Sequence, residues 1–209
     1  MGCGQFYSLE LETGQMVSLT KIYTRTGDSG QTTIGDGTRV SKLDQRIIAG
    51  GTVDELNSLV GLAVAESEDE AVREVLTKIQ QRLFDLGADL TCPWIPDSVE
   101  DRSPRIAEHH VTNLEFLIDK YNAELGDLKS FVLPAGSKAS AALHVARSVC
   151  RRAELSVLRL RQVENLNPQV AVYLNRFSDL LFVLARFAND GGKTDVLWVP
   201  DQAKPEEAE

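Results

Sequence analysis

The sequence predicts an all-α protein built as a five-helix bundle. Five segments carry apolar residues at the three- and four-residue spacing of an amphipathic helix. Strand-like patterns are limited to short pieces at 21–24 and 196–199. The 209 residues suit one domain, and a composition of 43% hydrophobic and 25% charged residues is typical of a folded globular protein.

Caps and breakers place the five segments in order. Asp44 can cap the first helix, Ser137 can cap the fourth, and Pro168 is well placed to open the fifth. Gly126 is placed to end the third. We expect the first two helices to pack together. The predicted helices span 44–66, 69–91, 104–125, 137–163 and 168–189.

A glycine-rich loop precedes the first helix. Between Lys21 and Arg39, glycines alternate with Thr and Asp, which indicates loop rather than helix or long strand. The first residues of the chain have weak hydrophobic periodicity. The acidic C-terminal end of the chain is typical of a solvated tail. The predicted parts are an extension at 1–19, a helical-bundle domain at 20–190 that includes a loop at 21–42, and a tail at 191–209.

Charge and cysteine content exclude several classes of protein. A net charge of −9 argues against broad binding to nucleic acid or to an anionic membrane. The three cysteines are far apart and lack CxxC spacing, so we expect a reducing compartment. The most apolar stretch, Leu180 to Ala188, contains Arg186 and is too short to span a bilayer. We therefore predict a cytoplasmic protein that binds neither nucleic acid nor membrane.

One face of the fourth helix is polar. His144, Arg147, Arg151 and Glu154 fall within an arc of about 80°. Two guanidiniums on one face can bind phosphates bidentately, and Glu154 can orient Arg151. The alternative is a solvated face with intrahelical ion pairs, and spacing alone leaves both interpretations open.

Polar residues also interrupt the fifth and first helices. Asn175, Asp179 and Arg186 lie within about 40° of each other on an otherwise apolar helix, so they must be paired or functional. An internal Asp179–Arg186 bond is the structural alternative. Asp54 on the first helix lacks a local partner, which an arginine from another helix or another subunit would supply.

The loop TRTGDSGQTT is a candidate anion site. Its glycines allow successive N–H groups to turn toward an anion, and its threonines add hydroxyl donors. It is not a Walker A loop, because no GKS or GKT follows, and an ordinary turn is the alternative. Together with the two arginines it suggests a polyphosphate clamp. No nucleophile and base stand at recognisable spacing, so any chemistry must depend on positioning.

Five ordered blocks carry a family resemblance: KIYTRTGDSGQTT, GTVDELNSLVG, LFDLGADL, FVLPAGSKASAALHVARSVCRRAE and YLNRFSDLLFVLARFAN. In this order and spacing they closely resemble the PduO-type ATP:cob(I)alamin adenosyltransferases, over about 20–190. The resemblance implies a five-helix bundle that assembles as a homotrimer with active sites between subunits. It also implies transfer of the 5′-deoxyadenosyl group of ATP to the cobalt of cob(I)alamin, which gives adenosylcobalamin and triphosphate, with Mg²⁺ accompanying the nucleotide.

The resemblance also assigns residues by position. Arg147 would pair with Asp54 across the subunit interface, and Phe131 would occupy the lower face of the corrin, where it favours loss of the lower axial ligand. Arg151, Glu154 and Asn175 match further ATP-binding positions. The nucleotide loop and an additional phosphate contact correspond to Thr24, Arg25, Thr26, Gly27, Asp28, Gly30, Thr32, Thr33 and Lys42.

Two positions depart from the family pattern, and an alternative function stays open. Gly50 stands where the family often has an aromatic residue, and Ala135 replaces the first glycine of LPGGS. The expected partners are a cob(II)alamin reductase and an adenosylcobalamin-dependent mutase or dehydratase. The alternative is a carrier that binds ATP or adenosylcobalamin for a mutase with little turnover. A purely structural bundle would gain little from clustered charge on one face.

Overall fold

The computed structural model describes residues 23–35, 37–96 and 103–200. Its helices form a bundle, which confirms the predicted all-α class. The predicted extension at 1–19 and the tail from 201 onward lie outside the described residues. The elements are β1 (Gln31–Thr33), β2 (Arg39–Ser41), α1 (Gln45–Glu66), α2 (Glu70–Thr91), α3 (Glu108–Asn122), α4 (Lys138–Arg161) and α5 (Pro168–Phe187).

The predicted helix starts at Asp44, Ser137 and Pro168 are confirmed. Asp44 Oδ1 accepts the Arg46 backbone N–H at 2.8 Å, and the Ser137 hydroxyl oxygen accepts the N–H of the third residue of α4 at 3.1 Å. Pro168 opens α5 with Asn167 as its side-chain cap. Such caps satisfy donors that have no partner inside the helix.

The third helix is shorter than the predicted range of 104–125. Asp89, buried near the end of α2, accepts the Ile106 N–H at 2.8 Å and an Arg105 guanidinium N–H at 2.6 Å. These bonds hold the chain outside the helix, which begins only at Glu108. The predicted stop, Gly126, lies beyond the end of α3, and its carbonyl accepts a bond from Arg186.

The apolar core lies between the helices. Helix α1 packs on α4 and α2, and α5 packs on α4 and α3. Fully buried side chains from several helices meet there, including Leu56, Leu83, Leu143 and Phe177. Each such side chain stabilises the fold by roughly 1.5 to 3 kcal/mol. Helix α1 is the only helix among the described residues that is long and apolar enough to cross a membrane.

The described strands lie elsewhere than predicted. β1 and β2 pair antiparallel, with Thr32 opposite Val40, directly before α1. Residues 23 and 24 form no strand, and the segment 196–199 makes a single bridge between Leu197 and Val132. The short hairpin escaped prediction because its residues are mostly polar and each strand has only three of them.

Candidate active site

The loop before α1 folds into a tight turn. The Gly30 N–H donates to the Gly27 carbonyl at 3.1 Å, and the Thr24 and Thr26 hydroxyl oxygens lie 2.9 Å apart. Arg25 has φ 63° and Gly30 has φ 81°. Left-handed conformations of this kind allow successive N–H groups to converge on an anion. The local geometry therefore suits the predicted phosphate loop.

The hairpin brings two cations to this loop. The Lys42 N–H donates to the Gly30 carbonyl at 2.9 Å, and Lys42 Nζ would lie 3.0 Å from a Cβ placed on Gly27. The Arg39 guanidinium donates to the Thr26 carbonyl at 3.1 Å. Two positively charged side chains that follow the turn in sequence, Arg39 and Lys42, therefore lie beside it.

The other predicted loop residues differ in exposure. Asp28 is exposed and Thr33 is half-buried, whereas Thr32 is buried in β1. Thr32 also pairs with Val40 of β2, so within one chain it is part of the hairpin. Asp28 is the loop carboxylate that faces solvent.

The polar face of α4 presents a free guanidinium. Arg151 is exposed, and no side-chain hydrogen bond or ion pair joins it to any residue in the described part of the chain. The predicted Glu154–Arg151 contact is absent among the described residues, and Glu154 Oε1 instead accepts from Asn175 Nδ2 at 3.1 Å. The intrahelical ion pairs of the alternative interpretation are also absent among the described residues, since the ion pair that α4 makes there joins Arg152 to Glu55 on α1, whereas the exposure of Arg151 fits both interpretations.

Sequence reasoning missed two residues beside Asn175. Arg176 Nη1 donates to Asn175 Oδ1 at 2.7 Å, and Arg176 Nε donates to Glu115 Oε1 at 2.8 Å. Arg176 lies about 100° around α5 from Asn175, so it falls outside the polar line of Asn175, Asp179 and Arg186 from which the site was predicted. A contact with Glu115, far away in sequence, had no local signal either.

The suggested Asp179–Arg186 bond is wrong. Arg186 Nε donates to Asp195 Oδ2 at 2.8 Å, and both side chains are buried. Arg186 also donates to the Gly126 carbonyl at 2.9 Å, while Asp179 is exposed. The segment after α5 folds back and supplies the competing carboxylate, so Arg186 is structural.

Charged and polar groups on α1 and α4 have no partners within the described part of the chain. Asp54 is exposed, with no ion pair to any described residue. Arg147 Nε and both ring nitrogens of His144 are buried, and none of them has a hydrogen-bond partner among the residues that the structure describes. Burial, and secondarily the Arg147 charge, lower the pKa of His144. Unsatisfied buried donors cost free energy, so a partner from outside the chain would stabilise this region.

Phe131 lies exposed on a tethered loop. Its side chain is 79% exposed, and its ring centre is 6.1 Å from that of Trp198 in an edge-on arrangement. The Trp198 N–H donates to the Phe131 carbonyl at 2.8 Å, and the Ser130 hydroxyl donates to the Trp198 carbonyl at 2.7 Å. An exposed aromatic ring on a fixed backbone is suited to contact a flat apolar ligand.

The two halves of the predicted nucleotide site share no polar bond in the described part of the chain. Across the described residues, no hydrogen bond or ion pair joins the loop at 24–33 to Arg147, Arg151, Glu154 or Asn175. A described cavity of about 300 Å³ contains none of the predicted site residues. Its charged wall is an ion pair between Arg46 and Glu164.

Fold and site together define a class of protein: a helical bundle that presents a cationic glycine-rich loop and an exposed arginine on α4. The family model described as cobalamin adenosyltransferase matches residues 22–188. The chain is 49% identical over 194 residues to the corrinoid adenosyltransferase of Mycobacterium leprae, covering 88% of this chain and 98% of that protein. It is 44% identical over 174 residues to that of Bacillus subtilis, covering 81% and 86%.

Solved structures agree with these matches. A variant of the PduO-type ATP:corrinoid adenosyltransferase from Lactobacillus reuteri, complexed with cobalamin and ATP, superposes with a TM-score of 0.79 at 39% identity. That match covers 85% of this chain and 99% of the other. The chain belongs to the cobalamin adenosyltransferase family.

Proposed function

We propose that this protein transfers the 5′-deoxyadenosyl group of ATP to the cobalt of cob(I)alamin. Cobalt(I) supplies the electron pair for the new cobalt–carbon bond, the bond between C5′ and the triphosphate oxygen breaks, and triphosphate leaves. Because cob(I)alamin is itself a strong nucleophile, the protein has only to align the substrates and stabilise the leaving group. The observation that carries the proposal is the exposed guanidinium of Arg151, which pairs with no described residue, in a chain that the cobalamin adenosyltransferase model matches.

The triphosphate is bound by hydrogen-bond donors, and these bonds strengthen as the C5′–O bond breaks and negative charge develops on the leaving oxygen. Lys42 Nζ, beside Gly27, and those loop N–H groups that make no bond within the turn supply donors on one side. Arg151 supplies a forked donor on the other, free of any partner among the described residues. Donors fixed before the reaction stabilise developing negative charge without reorganisation.

We propose that the complete site forms between subunits of a homotrimer. No hydrogen bond or ion pair joins the loop to the α4 face among the described residues, and in the proposed trimer a loop from one subunit approaches the α4 face of its neighbour. Asp54 and Arg147 each lack an ion-pair partner among the described residues of their own chain. An intersubunit pair between them would satisfy both and fix the two halves of the site.

Phe131 has the position of a platform for the corrin. We propose that its exposed ring lies against the lower face of the macrocycle and excludes the lower axial ligand. Loss of that ligand leaves four-coordinate cobalt(II), which is easier to reduce to cobalt(I). The backbone bond from the Trp198 N–H to the Phe131 carbonyl fixes the backbone that carries the ring.

Magnesium fits this site as a companion of ATP. The described residues contain no group of three or more His, Cys, Asp or Glu side chains able to hold a metal ion. Mg²⁺ commonly binds substrate phosphates with one or two carboxylates and several waters. Asp28 and the second oxygen of Glu154 are the carboxylate groups in the predicted contact set. Bound Mg²⁺ would supply additional neutralisation of the triphosphate.

The chemistry also defines the expected surroundings of the enzyme. A reductase must supply the electron for cobalt, and an adenosylcobalamin-dependent mutase or dehydratase would use the product. We propose a cytoplasmic location. Cys92 and Cys150 are free thiols, which is the usual state of cysteines in a reducing compartment.

The direct test is an anaerobic assay with chemically reduced cobalamin, ATP and Mg²⁺. The expected products are light-sensitive adenosylcobalamin and free triphosphate in equal amounts. Tight binding of both substrates without product would favour the carrier function. Release of diphosphate in place of triphosphate would contradict the proposed bond cleavage.

A further inference from the structure

A chain of hydrogen bonds crosses three helices beside Arg151. Glu115 on α3 accepts from Arg176, Arg176 donates to the side-chain oxygen Oδ1 of Asn175, and Asn175 Nδ2 donates to Glu154 on α4. The three contacts measure 2.8, 2.7 and 3.1 Å. All four side chains are partly shielded from water, and those of Arg176 and Glu115 are 39% and 46% exposed.

This chain fixes the orientation of the Asn175 amide. An asparagine amide can rotate by 180° and exchange its oxygen and nitrogen. The Arg176 guanidinium only donates, so it requires Oδ1, and an ionised Glu154 only accepts, so it requires Nδ2. The rotated amide would place donor against donor and acceptor against acceptor, so both neighbours select the same orientation.

The fixed amide has one N–H remaining. Nδ2 carries two hydrogens, and Glu154 accepts one of them; no other bond from Nδ2 is present among the described residues. Resting on the proposed function, we infer that Arg176 is a positioning residue that makes Asn175 present this N–H to an acceptor atom of ATP. Glu115 holds Arg176 in turn. Arg176 itself does not contact the nucleotide.

A positioning role predicts that Arg176 acts only through Asn175. Arg176→Met keeps the aliphatic stem and removes both donors. It should weaken Mg·ATP binding about tenfold, the value of one charge-assisted hydrogen bond. In the Asn175→Ala background the same substitution should have no further effect. Arg176→Lys, which keeps a donor, should restore part of the affinity.

The measurement is calorimetric titration of the full chain with Mg·ATP, with the melting temperature of each variant as a check on folding. Arg73→Met is the matched control, because Arg73 is 38% exposed and pairs with Glu70 on α2. An equal loss of affinity from Arg176→Met in both backgrounds would overturn the inference, since Arg176 would then act independently of Asn175. Unchanged affinity in Arg176→Met would also overturn it. Failure of the wild type to bind ATP would instead contradict the proposed function.

Discussion

The Asn189 side chain lies against Gly136 and connects the Phe131 loop, residues 131–136, to the start of α4. A Cβ on Gly136 would lie 2.3 Å from Asn189 Oδ1, and the φ of Gly136 is +108°. The buried Asn189 side chain accepts the Ser137 N–H at 3.0 Å and donates to the Ala135 carbonyl at 3.2 Å. One amide therefore holds the loop and the helix start together, and glycine is required above it.

Gly136→Ala should destabilise the protein and displace the Phe131 loop. The strained φ and the steric overlap together should cost about 2 to 4 kcal/mol. Denaturant unfolding measures this loss. Gly50→Ala is the control, because nothing lies within 4 Å of a Cβ at that helical position. Equal stability of the two variants would show that Asn189 yields to the added methyl group.

Phe131→Ala should impair the reaction most when it starts from cobalt(II). We expect a loss of about tenfold or more from cobalt(II), equivalent to about 1.4 kcal/mol, and a smaller loss from pre-reduced cobalt(I). The reason is that the ring acts before the nucleophile exists. Rates of adenosylcobalamin formation from both starting states give the comparison. Equal losses would argue against a role at the lower face.

Asp54→Asn and Arg147→Ala should each weaken assembly and activity together. Removing one partner of a buried ion pair typically costs about 3 to 5 kcal/mol. Sedimentation velocity measures the oligomeric state, and turnover is measured on the same samples. Glu55→Gln is the control, since its pair with Arg152 is about half exposed and such pairs contribute about 0 to 1 kcal/mol. A stable, fully active trimer in both variants would contradict the proposed pair.

Acid should destabilise the fold partly through His144. Burial lowers its pKa in the folded state, whereas the unfolded chain binds a proton near the ordinary value of about 6.5. The contribution of neutral His144 to the free energy of unfolding is therefore fully present above that value and is lost as the pH falls below it. His144→Asn should show a smaller loss of unfolding free energy between pH 7.5 and 5.5 than the wild type. An unchanged loss would assign the effect to other groups.

Capping chemistry made the starts of α1, α4 and α5 predictable, because a cap acts within a few residues of the chain. The start of α3 was not predictable, because Asp89 on α2 binds the Ile106 N–H and holds that residue outside the helix. The Arg186–Asp195 ion pair was likewise not predictable, because Asp195 lies in a segment that has no helical pattern.

In the candidate site, too, features set by neighbouring residues could be predicted and features set by contacts between helices could not. The loop and the α4 face could be read from local spacing, and their assigned roles remain predictions. The bonds that Asn175 makes to Glu154 and Arg176 depend on which faces of α4 and α5 meet. Spacing along one helix carries no information about that packing.

The measurement that tests the central claim most directly is the rate of adenosylcobalamin formation by Arg151→Ala under anaerobic conditions. The control is Arg159→Ala, since Arg159 is an exposed arginine in the last turn of the same helix. We predict a loss of about a hundredfold or more for Arg151→Ala, with an unchanged melting temperature and oligomeric state. Arg159→Ala should retain wild-type turnover. Equal turnover in the two variants would contradict the assignment of Arg151 to the triphosphate.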